Sequence, residues 1–228
     1  MELYYRLKLN AELCEKLNIS IYSLVIPQSV TSIGNYAFNG CAGLNGKLTI
    51  GGNSDGITVG NGAFYGCNKL TSVELKNGIT SIGDSAFYNC SGLTGDLIIP
   101  DSVTSIGTSA FRGCSGLNGE LKLSENLTAI PSYAFSGCSG INGELVIPDN
   151  VKTIDYNAFS YPSSNTSYAG SQMSKVTSIV FGEGVKQIGT SGWNTYNDPF
   201  YGFTGVKEVT FKSTDVPTRY VPRQLQGR

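Results

Sequence analysis

Short bursts of apolar residues, each closed by a turn signal, recur along this chain at a nearly constant interval. Residues 95–117 show one full cycle. Leu97 and Ile99 share one face of a β-rich run that Pro100 ends, because proline cannot continue a hydrogen-bonded ladder. Asp101 and Ser102 read as a turn. Val103 and Ile106 mark a second extended piece, after which Gly107 frees the backbone to bend. Residues 108–114 read as a helical or 3-10 turn directing Ala110, Phe111 and Cys114 inward, and Leu117 leads toward the next strand. The predicted interior of one coil is thus Leu97, Ile99, Val103, Ile106, Ala110, Phe111, Cys114 and Leu117.

The same positions return as Leu48, Ile50, Ile57 and Phe64; as Val73, Leu75, Ile79, Ile82 and Phe87; as Leu121, Leu123, Leu127, Ile130 and Phe135; and as Leu145, Ile147, Val151, Ile154 and Phe159. The phrase Ala-Phe-x-Gly-Cys, or a close variant, ends at Cys41, Cys67, Cys90, Cys114 and Cys138, separated by 26, 23, 24 and 24 residues. A period of this size marks a solenoid in which each coil touches only its neighbours and stacking closes the core. Eight strand registers, from Leu24-Val25-Ile26 to Val209-Thr210-Phe211, predict a β-rich solenoid with one parallel β-sheet and about 23–26 residues per coil. Residues 1–20 lie outside the rhythm and read as an N-terminal cap, 21–212 as the solenoid, and 213–228 as a capping tail.

Two insertions interrupt the rhythm, near residues 160–175 and 190–199. They leave successive coils at nearly the same angular position and carry Tyr161, Tyr168, Trp193 and Tyr196. Aromatic side chains on one-sided insertions are good partner anchors, and they also suit shielding of an irregular coil. The outward strand positions form two rows. One runs Lys47, Ser72, Asp96, Glu120, Glu144, Ser178, Glu208; the other runs Val25, Thr49, Glu74, Ile98, Lys122, Val146, Val180, Thr210. Asp96, Glu120 and Glu144 thereby fall in consecutive coils, about 4.8 Å apart. Such a row reads as a solvated acidic stripe or as a place for a cation or basic partner.

Composition removes several classes of function. There are 16 Lys and Arg against 17 Asp and Glu, a net charge of −1, so no basic field exists for a phosphate backbone. No apolar run approaches the length of a membrane span. The absence of histidine removes the commonest general base and metal ligand. The six cysteines show no paired CxxC spacing for a metal, and stacked, parallel thiols suit disulfides poorly. Those in the repeat read as buried free thiols. The opening residues lack the basic-then-apolar order of a secretory signal.

Residues 97–111, Leu-Ile-Ile-Pro-Asp-Ser-Val-Thr-Ser-Ile-Gly-Thr-Ser-Ala-Phe, and 24–38, Leu-Val-Ile-Pro-Gln-Ser-Val-Thr-Ser-Ile-Gly-Asn-Tyr-Ala-Phe, resemble the BspA-like leucine-rich repeat class. The resemblance spans about residues 21–212. It implies a right-handed leucine-rich-repeat superhelix, commonly bacterial and surface-exposed, adhering to host proteins or other cells, with no shared enzymatic site or cofactor. The expectation is a non-enzymatic binding or adhesion module for a protein or glycan partner, such as a host extracellular or bacterial surface molecule. The alternative is a structural spacer in a larger surface or assembly protein. A weaker third reading is an enzyme using carboxylates of the strand face.

Overall fold

The computed structural model of the chain describes residues 21–52, 54–160, 172–189 and 198–214. Among them, fifteen strands follow in chain order: β1 (Ile21–Val25), β2 (Ser32–Ile33), β3 (Leu44–Ile50), β4 (Ile57–Val59), β5 (Ser72–Leu75), β6 (Ile79–Ile82), β7 (Leu97–Ile98), β8 (Ser105–Ile106), β9 (Leu121–Lys122), β10 (Ala129–Ile130), β11 (Asn142–Ile147), β12 (Thr153–Ile154), β13 (Lys175–Phe181), β14 (Gln187–Ile188) and β15 (Glu208–Phe211). Odd-numbered strands stack on one face as β1-β3-β5, β7-β9 and β11-β13-β15, and even-numbered strands on a second as β2-β4-β6-β8 and β10-β12-β14. Every pairing is parallel, as expected when each coil re-enters the stack in the same direction. The eight odd strands are the eight registers expected from sequence. One parallel sheet was expected; instead the second extended piece of each coil builds its own ladder.

That second ladder is stitched by the residue after its isoleucine or valine: Gly60 N donates to Ile33 O, Gly83 N to Val59 O and Gly107 N to Ile82 O, at 2.8–2.9 Å. The next residue in this series is Pro131, which has no N–H to give. The ladder breaks there, between β8 and β10, and resumes when Asp155 N reaches Ile130 O at 2.9 Å. Side chains reinforce the same edge. Asn61 N donates to Asn35 Oδ1, Asp84 N to Asn61 Oδ1 and Thr108 N to Asp84 Oδ1, at 2.8–2.9 Å.

All eight predicted inward residues of the 95–117 coil are buried, Ile106 being the most accessible at 8%. Burial of this kind stabilises by about 1.5–3 kcal/mol per large apolar side chain. Of the equivalents named in the other coils, Val73 alone is only partly buried. Down the centre runs an unbroken column of phenylalanine rings. Phe38, Phe64, Phe87, Phe111, Phe135, Phe159 and Phe200 stack with centroids 5.0–5.6 Å apart and ring planes within 20°. These separations are those of offset stacking, the favourable parallel arrangement of aromatic quadrupoles. The column continues past all three places where the strand ladders stop.

The expected helical turn takes another form: among the described residues there is no α- or 3-10 helix. In each of the first five coils, left-handed residues bracket the Ala-Phe pair, for example Ser109 (φ 59°) and Gly113 (φ 78°). Such residues cannot propagate a right-handed helix. Every second N–H instead bonds to the following coil. Phe38 N donates to Ala63 O, Phe64 N to Ala86 O, Phe87 N to Ala110 O, Phe111 N to Ala134 O and Phe135 N to Ala158 O, all at 2.7–2.8 Å. The turn side is therefore a third ladder, and it holds the phenylalanines in register.

Cys41, Cys67, Cys90, Cys114 and Cys138 are free and fully buried, and Cys14 lies outside the described residues. They do more than fill space. Sγ of Cys67, Cys90, Cys114 and Cys138 donates to the carbonyl of Phe38, Phe64, Phe87 and Phe111, respectively, one coil back, at 3.0–3.2 Å. Burial pushes the Cys90 thiol up to about 12 from its ordinary 9.0. Burial also pushes Cys114 upward, with Cys138 adding to the effect.

Two predictions follow from this interior. Phe111→Ala opens a cavity in the middle of the column and costs about 3–5 kcal/mol in denaturant unfolding. Ile98→Ala, at a strand position 52% exposed, changes stability by about 0.5 kcal/mol or less. Equal effects would contradict the central role of the column. For Cys90, the unfolded chain releases its proton near 9.0 while the folded chain holds it to about 12. Its ionisation thus leaves stability untouched below pH 9 and erodes it as pH rises from 9 toward 12. The melting temperature of Cys90→Ala falls less steeply over that window than that of the parent chain.

Candidate interaction surface

Within each set of paired odd-numbered strands, the outward positions take the expected register. Ser23, Lys47 and Ser72 align, as do Glu144, Ser178 and Glu208. In the second row Val25, Thr49 and Glu74 align, then Ile98 with Lys122, and Val146 with Val180 and Thr210. Asp96, Glu120 and Glu144 are all exposed, and they are engaged differently. Asp96 Oδ1 accepts from Glu120 N at 2.9 Å, so this carboxylate caps the backbone of the next coil. Gly119 permits the approach: a Cβ there would stand 2.0 Å from Asp96 Oδ1. Glu144 Oε2 accepts from Ser178 Oγ at 3.3 Å. Among the described residues, no three acidic or thiol groups converge as metal ligands would.

Lys47, Glu74 and Lys76 on this face are paired. Lys47 Nζ lies 2.6 Å and Lys76 Nζ 3.6 Å from the two Glu74 carboxylate oxygens. The Lys47 contact comes first in holding the Glu74 carboxyl below its ordinary range, and Lys76 and Thr49 act in the same direction. Such exposed pairs are worth little to stability, and they fix where charge is displayed. On either side of them, in the strands β1 and β7, stand the exposed apolar side chains Val25 (61%) and Ile98 (52%).

Tyr161, Tyr168, Trp193 and Tyr196 lie outside the described residues. The edges of their two insertions do meet: Ser160 Oγ donates to Asp198 O, and Phe159 stacks on Phe200 at 5.4 Å. The start of the first insertion therefore lies beside the end of the second.

Sequence reading missed a second surface, on the turn side. Tyr65 stacks on Tyr88 with centroids 4.7 Å apart and planes 5° apart. The Arg112 guanidinium lies 5.8 Å from the Tyr88 centroid and 4.6 Å from that of Tyr133. Tyr133 meets Tyr156 edge-on at 5.2 Å. These residues come from five consecutive coils, but Tyr65, Tyr88 and Arg112 follow the repeat phenylalanine whereas Tyr133 and Tyr156 precede it. A search for aromatics in both flanks of each Ala-Phe pair is the signal that finds them.

Among the described residues, no helix is long and apolar enough to cross a membrane. Residues 10–94 and 47–166 match the BspA type leucine-rich repeat region in six copies. No curated protein matches the chain. Among solved structures, it is similar to a leucine-rich cell surface protein from Faecalibacterium prausnitzii A2-165, at 19% identity and a TM-score of 0.52, over 86% of this chain and 61% of that one. A leucine-rich repeat protein of T. pallidum aligns at 21% identity and a TM-score of 0.48, over 86% of this chain and 70% of that one. Another from Bacteroides ovatus ATCC 8483 aligns at 20% identity and a TM-score of 0.43, over 83% and 69%. The chain spans about three fifths of the F. prausnitzii protein, and that likeness is one of fold. With the repeat matched across more than half its length and each coil built as that repeat requires, the chain belongs to the BspA-type leucine-rich repeat family.

Proposed function

We propose that this chain is a non-enzymatic binding module of the adhesion kind, presenting a stiff repeat surface to a protein partner at a cell surface. The observation that carries the reading is the strand face, where Val25 and Ile98 stand exposed, Val25 aligned with Glu74 across the buried Thr49 and Ile98 aligned with Lys122. Apolar anchors among charges held at fixed spacing are what a complementary surface grips. The non-enzymatic part is supported by a sequence without histidine and by thiols sealed in the core. Surface location is supported by the F. prausnitzii relative in fold, a cell surface protein. The aromatic insertion residues Tyr161, Tyr168, Trp193 and Tyr196 belong to the same proposal as secondary anchors.

A spacer role is the competing reading, favoured by the unbroken phenylalanine column, which suits a rod that holds distance. A panel of host extracellular proteins and bacterial glycans, probed with the immobilised chain, separates the two. The binding reading expects retention of at least one protein, weakened about tenfold or more by the double substitution Val25→Asp and Ile98→Asp. A folded chain that retains no protein supports the spacer. Retention of glycans alone replaces the protein partner with a carbohydrate one.

A further inference from the structure

We infer that the turn-side run Tyr65, Tyr88, Arg112, Tyr133 and Tyr156 is a docking surface for an extended, proline-rich peptide bearing a carboxylate. The inference deepens the proposed binding function and rests on it. Tyr65 and Tyr88 turn their faces to each other, and Arg112 lies over Tyr88 and Tyr133. With those faces occupied, solvent meets chiefly ring edges, phenol hydroxyls and the guanidinium. Aromatic edges carry partial positive charge, and hydroxyls and guanidinium donate hydrogen bonds. The surface is therefore rich in donors, with Arg112 as its cation and the carboxylates of Asp84 and Asp155 in the neighbouring turns.

The complementary ligand is rich in acceptors, poor in donors and apolar between them. A polyproline II segment fits, since its carbonyls make no internal hydrogen bonds and each proline lacks an N–H that docking would strand. Tyrosine-lined surfaces recognise such segments by ring contact and carbonyl hydrogen bonding. The spacing agrees as well. A polyproline II turn advances about 9.3 Å, and two coils at strand spacing advance about 9.6 Å, so a segment along the stack stays in step with the coils. The run covers five coils, about 19 Å, which is about six peptide residues. Arg112 sits at its centre with aromatics on either side, which assigns the carboxylate to the middle of the peptide.

The test uses the full chain and a labelled twelve-residue proline-rich peptide with one central aspartate, titrated by fluorescence anisotropy. The expected result is saturable binding that weakens with added salt. Exchanging the peptide aspartate for asparagine weakens it by about tenfold, since a charge-assisted contact is lost. Tyr65→Ser and Tyr156→Ser, at positions 37% and 36% exposed, weaken it while the chain still unfolds cooperatively, and Arg112→Gln removes the aspartate preference. No binding, binding indifferent to the peptide charge and to both tyrosine variants, or capture of an acidic oligosaccharide in place of the peptide overturns the inference. Loss of peptide binding by the strand-face double variant, with the tyrosine variants unaffected, overturns it too. Protein retention in the panel assay alongside failure here sinks the turn-side site alone, whereas failure of both sinks the binding reading itself.

Discussion

One phenylalanine per coil lies flat against the next, and seven rings in sequence set the spacing to which the rest of the chain conforms. A ring admits a neighbour at only one comfortable distance, so coils of slightly different length still stack in step. The backbone around each ring serves that register. Left-handed residues at either side of the Ala-Phe pair aim alternate N–H groups along the stack, and the cysteine thiol ties back to the preceding phenylalanine carbonyl. Neither strand ladder runs unbroken from end to end. The aromatic column bridges the gaps, including the one that Pro131 creates.

A core with this repeat necessarily prints its period on the outside. Outward side chains on the strands and on the turns fall into rows at coil spacing, so the surface is a ruler on which small changes of residue type alter what is displayed. On the strand face the display is mixed: ion pairs at Lys47 and Glu74, a capping carboxylate at Asp96, and apolar side chains at Val25 and Ile98. On the turn side it is aromatic and cationic. The Tyr65 and Tyr88 rings repeat outside, at 4.7 Å, the stacking that Phe64 and Phe87 make inside at 5.2 Å. Interior packing and exterior recognition therefore share one geometric cause.

Much of this was legible in the sequence because apolar periodicity and turn residues report directly on which side chains face inward. Leu97, Ile99, Val103 and Phe111 could be placed from those signals alone, and the outward rows followed by alternation. The turn side was opaque. The left-handed positions ahead of the Ala-Phe pair are filled by Tyr36, Gly62, Ser85, Ser109, Tyr133 and Asn157, which share no chemistry that announces the conformation, unlike the glycines and Asn89 that follow the pair. The thiol hydrogen bonds join residues 26–29 apart in sequence and depend on carbonyl directions. Asp96 was placed on the correct row, but its turn toward Glu120 N depends on space that only Gly119 supplies.

Native-state hydrogen exchange of the Phe64, Phe87, Phe111 and Phe135 amides addresses the column most directly. These amides sit in segments that look like surface turns, yet each bonds to the alanine carbonyl of the following coil at 2.7–2.8 Å. If the stacked rings hold the coils together, all four exchange as slowly as the amides of β11 and β13 and with one common free energy of opening. Exchange at loop rates, or graded opening coil by coil while the strands stay protected, would show that the sheets carry the fold and the phenylalanines only fill it.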